Sequence, residues 1–127
     1  MATVADMMKR EVLTVAPEDS IGEAAAKMTE ADVGAVIVSD FGRLIGILTE
    51  RDIMRAVARR THSSITRVRE WMTADPVTAP PDMDADEAAR TMLEQGVRHL
   101  PVVEDGRAVG IVSLRDFARS LVAGQSS

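Results

Sequence analysis

GILTERDI, Gly46 to Ile53, returns sixty-four residues later as GIVSLRDF, Gly110 to Phe117. In both copies a short apolar run ends in a hydroxyl residue, then Arg, then Asp, then apolar again. Sliding the chain against itself by 64 positions aligns residues 4–58 with 68–122 without a gap, and 18 of those 55 positions are identical. The matches include Met8/Met72, Thr14/Thr78, Pro17/Pro81, Met28/Met92, Gly42/Gly106, Arg51/Arg115 and Asp52/Asp116. A fixed-period self-match of this extent is a duplicated structural unit.

Each copy parses in one way. Leu13–Val15, or Val77–Ala79, predicts a short strand closed by Pro17 or Pro81. Ser20 to Glu23, SIGE, predicts a helix opened by a capping box, and Asp84 to Glu87 follows the same logic. Ile21, Ala24, Ala25 and Met28 recur at helical spacing, as do Ala85, Ala88, Ala89 and Met92. Two strands follow, near 35–39 and 44–48, joined by DFGR; the second copy has 99–103 and 108–112 joined by EDGR. A Gly-bearing turn between apolar runs predicts a hairpin. A last helix begins after Thr49 or Ser113 and is expected to turn Ile53, Ala56 and Val57, or Phe117 and Leu121, toward the core. The unit is β-α-β-β-α and the fold class α/β. About 60 residues bury little surface alone, so each copy gains from the other. The expected division is 1–60 for the first repeat, 61–67 for a linker with a solvated His62, 68–123 for the second repeat, and 124–127 for a tail.

Composition narrows the functions. The 127 residues contain no cysteine, which removes disulfides and thiolate metal sites. Residues 1–63 hold ten acidic and eight basic residues, and 64–127 hold ten and seven, so neither half is a basic patch. Nucleic-acid binding through counterion release is not expected. Trp71, Phe41 and Phe117 are the only aromatics available to stack bases. MATVADMMKR lacks the apolar core of a signal peptide, and no apolar run approaches the roughly 20 residues of a membrane helix. A cytoplasmic protein without a membrane partner is the expectation.

The repeated hydroxyl, Arg and Asp have a purely structural use. Thr49 or Ser113 at the N-cap accepts a backbone amide, and Asp52 or Asp116 at N3 sits at the positive end of the helix. The Arg between them is left without a role. The same groups suit a ligand. Free amides at a helix start attract phosphate, a hydroxyl donates to it, and Arg pairs with it bidentately. A carboxylate has two acceptor oxygens for the hydroxyls of a ribose. Thr/Ser-x-Arg-Asp thus fits a ribose-phosphate clamp, though the motif is short.

The order of these parts, with GRLIGILTERDI, VRHLPVVEDGRAVGIVSLRDF and the tandem spacing, resembles the CBS domain family, the cystathionine-β-synthase-type domains. The resemblance covers both copies. It implies two tandem repeats packed sheet to sheet with pseudo-twofold symmetry, acting as a regulatory module for an adenosine ligand. It also implies clefts assembled crosswise. One would combine Thr49, Arg51 and Asp52 with Val77, Thr78, Arg98, His99, Leu100 and Pro101. The other would combine Ser113, Arg115 and Asp116 with Leu13, Thr14, Ala35, Val36 and Ile37. Backbone groups near Leu100 or Val36 would read the base edge. Arg98 and His99 stand where the first copy has Gly34 and Ala35, which predicts unequal clefts. Trp71 and the eight methionines are read as packing.

The family-like function is a nucleotide sensor with AMP, ADP, ATP or S-adenosylmethionine as regulatory ligand and no required cofactor. The alternative is a ligand-independent dimerisation protein that docks an unidentified protein target. With two histidines and no cysteine, the sequence offers no set of nucleophile, base and orienting group, so an enzyme is not expected. Met54, Val57 and Ile53 provide an apolar surface for a homodimer.

Overall fold

The computed structural model describes residues 2–125. In chain order the elements are α1 (Val4–Met7), β1 (Thr14–Val15), α2 (Ile21–Ala31), β2 (Ala35–Asp40), β3 (Arg43–Thr49) and α3 (Glu50–Ala58). They are followed by α4 (Val68–Trp71), β4 (Thr73–Ala74), α5 (Ala85–Gln95), β5 (His99–Glu104), β6 (Arg107–Ser113) and α6 (Leu114–Gln125). The β-α-β-β-α order of the sequence is recovered in both repeats. The strand expected at Val77–Ala79 shrinks to a single parallel bridge, Ala79 to Val102. Helix α6 runs on through Gln125, into the expected tail, while residues 126 and 127 lie outside the described residues.

The chain forms two compact units. The first is Leu13–Pro76; the second joins the segment up to Val12 with the chain from Val77 onward. In the first, the sheet order is β1-β2-β3-β4, with β1 parallel to β2 and the other pairs antiparallel. In the second, β5 and β6 pair in the register of β2 and β3, with the same irregularity one residue past the middle. Each hairpin closes in two residues of positive φ, Phe41-Gly42 (52° and 79°) and Asp105-Gly106 (55° and 77°). That is the type I′ geometry whose twist matches antiparallel strands.

Helix α2 starts where its sequence says. The Ser20 hydroxyl accepts the Glu23 amide at 3.0 Å, and Glu23 Oε1 accepts the Ser20 amide at 3.3 Å. Asp84 differs: it occupies the N-cap of α5 without a side-chain capping bond. The expected second capping box is therefore not formed. Burial also corrects the last helices, since Val57 and Leu121 are exposed rather than turned to the core. Ile53 is the part-buried residue that packs on the first core, beside Val36, Val38, Leu48 and Met28. The second core gathers Val4, Ala88, Met92, Leu100, Val102 and Val112. Trp71 and Met72 pack against the first core, as their apolar character suggested.

The compact units exchange the segments that precede the repeats. Residues 63–69 close the first unit: Ile21 N donates to Thr66 O at 2.8 Å, Val68 N to Asp19 O at 2.8 Å, and Arg69 N to Pro17 O at 2.9 Å. The Arg69–Glu18 ion pair, 2.7 Å, reinforces that seam. Residues 2–5 repeat the pattern on the second unit, with Ala85 N to Ala2 O at 3.0 Å, Val4 N to Met83 O at 2.8 Å and Ala5 N to Pro81 O at 2.9 Å. Beyond each short helix the chain then lies against a hairpin, Thr73 beside Ile47 and Lys9 beside Ile111. This close approach explains a pair of glycines. A Cβ on Gly46 would meet Thr73 O at 2.9 Å and Met72 Sδ at 2.8 Å, and one on Gly110 would collide with Met8.

Candidate functional site

In the first unit the antiparallel register sets Ala35 opposite Thr49, at the end of the sheet where α3 begins. Glu50 N donates to Gly34 O at 3.0 Å, which ties the start of α3 to the entrance of β2. Pairing with β1 begins only at Ile37, opposite Thr14, where Ile37 N donates to Leu13 O at 3.0 Å. Among the described residues the stretch Ala35–Val36 therefore has no strand neighbour on that side. Leu13, Thr14, Ala35, Val36, Ile37, Thr49, Arg51 and Asp52 thus collect around one sheet end of one unit.

The second unit repeats this. His99 is opposite Ser113, Leu114 N donates to Arg98 O at 3.0 Å, and Ala79 N donates to Pro101 O at 3.0 Å. Val77 and Thr78 lead into that bridge, and strand pairing on this side starts after Leu100. Val77, Thr78, Arg98, His99, Leu100, Pro101, Ser113, Arg115 and Asp116 share this second sheet end. Arg98 lies in the unit of Asp116, and Gly34 in the unit of Asp52.

The caps define the polar groups. At α3, Asp52 Oδ2 accepts the Thr49 amide at 2.9 Å and the Thr49 hydroxyl at 3.0 Å, while Asp52 N donates to Thr49 Oγ1 at 3.3 Å. Asp52 is 6% exposed. One carboxylate oxygen is thus committed to the cap, and Oδ1 carries no hydrogen bond among the described residues. At α6, Asp116 Oδ2 accepts the Ser113 amide at 3.0 Å, and Asp116 N donates to Ser113 Oγ at 3.1 Å. The structural role expected of these residues is real, and in each cap it engages Oδ2 of the carboxylate. Arg51 and Arg115, one residue earlier, are exposed and take no part in the caps.

Burial sorts the apolar candidates. Val36, Ile37 and Leu100 are fully enclosed in or beside the cores, and Pro101 is buried, so their side chains are committed to packing. Val77, Thr14 and Thr78 are exposed, and Leu13 is half-buried. No three His, Asp or Glu side chains among the described residues come together as a metal site. Sequence reasoning did not place Gly34 O and Arg98 O as the acceptors that seat the helix starts, because no side-chain pattern marks a carbonyl.

A capped helix start at the end of an antiparallel hairpin, repeated in two units with tandem sequence, defines a duplicated β-α-β-β-α module. The chain belongs to the CBS domain family: its model matches residues 4–59 and again 68–123. The CBS domain-containing protein YhcV of Bacillus subtilis is 36% identical over 127 residues, covering 100% of this chain and 91% of that protein. A solved CBS-domain protein from Burkholderia ambifaria MC40-6 superposes with a TM-score of 0.92 at 37% identity, covering 98% of this chain and 96% of its own. The CBS domain pair of protein MJ0100, solved with 5-methylthioadenosine and S-adenosyl-L-methionine, superposes with a TM-score of 0.90 at 31% identity, covering 98% of each chain.

Proposed function

We propose that this protein is a regulatory sensor that binds an adenosine-containing ligand at the sheet end of each unit. The observation that carries the reading is the strand edge that enters each hairpin, at Ala35–Val36 or Leu100, set beside a Thr/Ser-x-Arg-Asp helix start. Backbone donors and acceptors on that edge suit the rim of an adenine ring. The uncommitted oxygen of Asp52 or Asp116 suits a ribose hydroxyl, and Arg51 or Arg115 suits phosphate. The complex of MJ0100 with two adenosine compounds supports the class of ligand. The action is equilibrium binding: the site has carboxylates and arginines but no activated nucleophile, and turnover of the ligand is not part of the reading.

Equilibrium dialysis of the full chain against AMP, ADP, ATP, S-adenosylmethionine and 5-methylthioadenosine tests this, with chromatography of the recovered ligand. Saturable binding with ligand recovered intact is the expected result. No binding across the panel, or conversion of the ligand, would remove the reading.

A second surface favours self-association. On α3, Met54 and Val57 are exposed on one face, and on α6 Leu121, the counterpart of Val57, is exposed together with its neighbour Val122. Two such apolar ridges in one chain suit a twofold homodimer. Light scattering of the unliganded chain is expected to give twice 13.7 kDa, and a species of 13.7 kDa alone would exclude it.

A further inference from the structure

The eight methionines of the chain include a pair placed by the duplication, Met8 and Met72. Each follows a four-residue helix, α1 or α4, and caps it, its amide donating to Val4 O or Val68 O at 2.9 Å. Each is half-buried and packs on the core of its own unit. Each also lays its sulfur over a buried glycine, Met72 over Gly46 of β3 and Met8 over Gly110 of β6. The position a Cβ would take on Gly46 is 2.8 Å from Met72 Sδ and 2.9 Å from Thr73 O. On Gly110 the same position falls against Met8 Sδ and lies 3.0 Å from Lys9 O. The two thioethers thus fill matching notches, and a carbonyl oxygen lines each one.

The sulfurs hold the segment that closes each unit. Immediately after Met72, Thr73 and Ala74 pair with Ile47 and Gly46. After Met8, Lys9 exchanges both backbone hydrogen bonds with Ile111, at 2.9 and 3.0 Å. Val68 and Val4, one turn earlier, have no exposed surface. A change at either sulfur therefore acts on a strand pairing and a core residue together.

A thioether is open to two-electron oxidation. Its lone pair attacks one oxygen of a hydroperoxide, an S–O bond forms and the O–O bond breaks. The departing oxygen takes the proton of the transferred one and, from hydrogen peroxide, leaves as water. The sulfoxide is polar where the thioether was apolar. In these notches its oxygen meets Thr73 O or Lys9 O, acceptors with no proton to give, and an unsatisfied buried acceptor is costly.

We propose that Met8 and Met72 are modification sites for a hydroperoxide, and that sulfoxide formation at either one releases the segment it latches. Methionine sulfoxide reductases reset the latch. The other methionines set the scale for accessibility: Met54 is 71% exposed, Met28 4% and Met92 1%.

Titration of the full chain with hydrogen peroxide, followed by peptide mass spectrometry and thermal unfolding, tests the proposal. Met54 gains oxygen first, with the midpoint unchanged. Met8 and Met72 follow, well before Met28 and Met92, and the midpoint falls with them by about 5 °C. Fragment spectra separate Met8 from its neighbour Met7. Emission of Trp71, which packs on the first core beside Met72, shifts to the red at the same stage. The double variant Met8→Leu, Met72→Leu keeps an apolar side chain and removes the sulfur, so less than half of the peroxide-induced fall remains. Each chain is compared with its own untreated sample, which removes the stability cost of the substitutions. Where the double variant does not fold, each single variant is read in the same way, and its fall is smaller than that of the wild type. Treatment of the oxidised wild type with both sulfoxide reductases restores its midpoint. The proposal is overturned by a fall that accompanies Met54 alone, or by one that keeps more than half its size in the double variant. Protection of Met8 and Met72 equal to that of Met28 and Met92 overturns it too, as does a midpoint the reductases leave lowered.

Discussion

Phe41 occupies the first central position of its hairpin turn at φ 52° with 94% of its surface exposed. A side chain with a Cβ is strained there, by roughly 1–2 kcal/mol for residues other than Gly, Asn or Asp. The second copy has Asp105 in the same place, a residue that tolerates the left-handed region. Phe41→Asn is therefore expected to stabilise the chain by about 1 kcal/mol, read as a higher midpoint in thermal unfolding. A lower midpoint would mean that Phe41 makes a contact its exposure conceals. At this scale the repeated Thr49/Asp52 and Ser113/Asp116 pairs were legible, because capping has a fixed three-residue spacing. The direction of Val57 and Leu121 was not. An apolar residue on a helix reads as inward until a neighbouring surface is known, and both lie on the outer face.

Helices α2 and α5 begin at aligned positions with different caps. Ser20 closes a reciprocal box with Glu23, whereas Asp84 makes no side-chain capping bond. Ser20→Ala is expected to cost about 1 kcal/mol, and Asp84→Ala distinctly less. Paired urea titrations check this, and equal losses would show that Asp84 acts through the helix dipole alone. The sequence announced both helices and both hairpins, since each carries its own period or turn. It gave no sign of α1 and α4. Four residues hold barely one helical turn, too little for periodicity, and their anchors are remote in sequence. Lys9 bridges to Ile111, and Val4 fills a core built from residues 79–112. What did leave a trace was the glycine pair, Gly46 and Gly110, whose missing side chains admit the exchanged segments. The same limit applies to the candidate site: its residues are named from local motifs, whereas which of them lie together at a sheet end depends on strand register that no local pattern encodes.

For the whole molecule, the central proposal is that this CBS pair discriminates the adenine base through backbone groups at the ends of its sheets. A base of the wrong donor and acceptor pattern leaves those groups unpaired, which costs on the order of 1–3 kcal/mol. Ligand that binds only the native state stabilises it by about 2.7 kcal/mol at a hundredfold excess over the dissociation constant. The most direct measurement is thermal unfolding of the full chain with AMP and with GMP at matched concentrations. The account predicts a midpoint raised by several degrees with AMP and a markedly smaller rise with GMP. Equal shifts for the two nucleotides, or no shift with either, would contradict it.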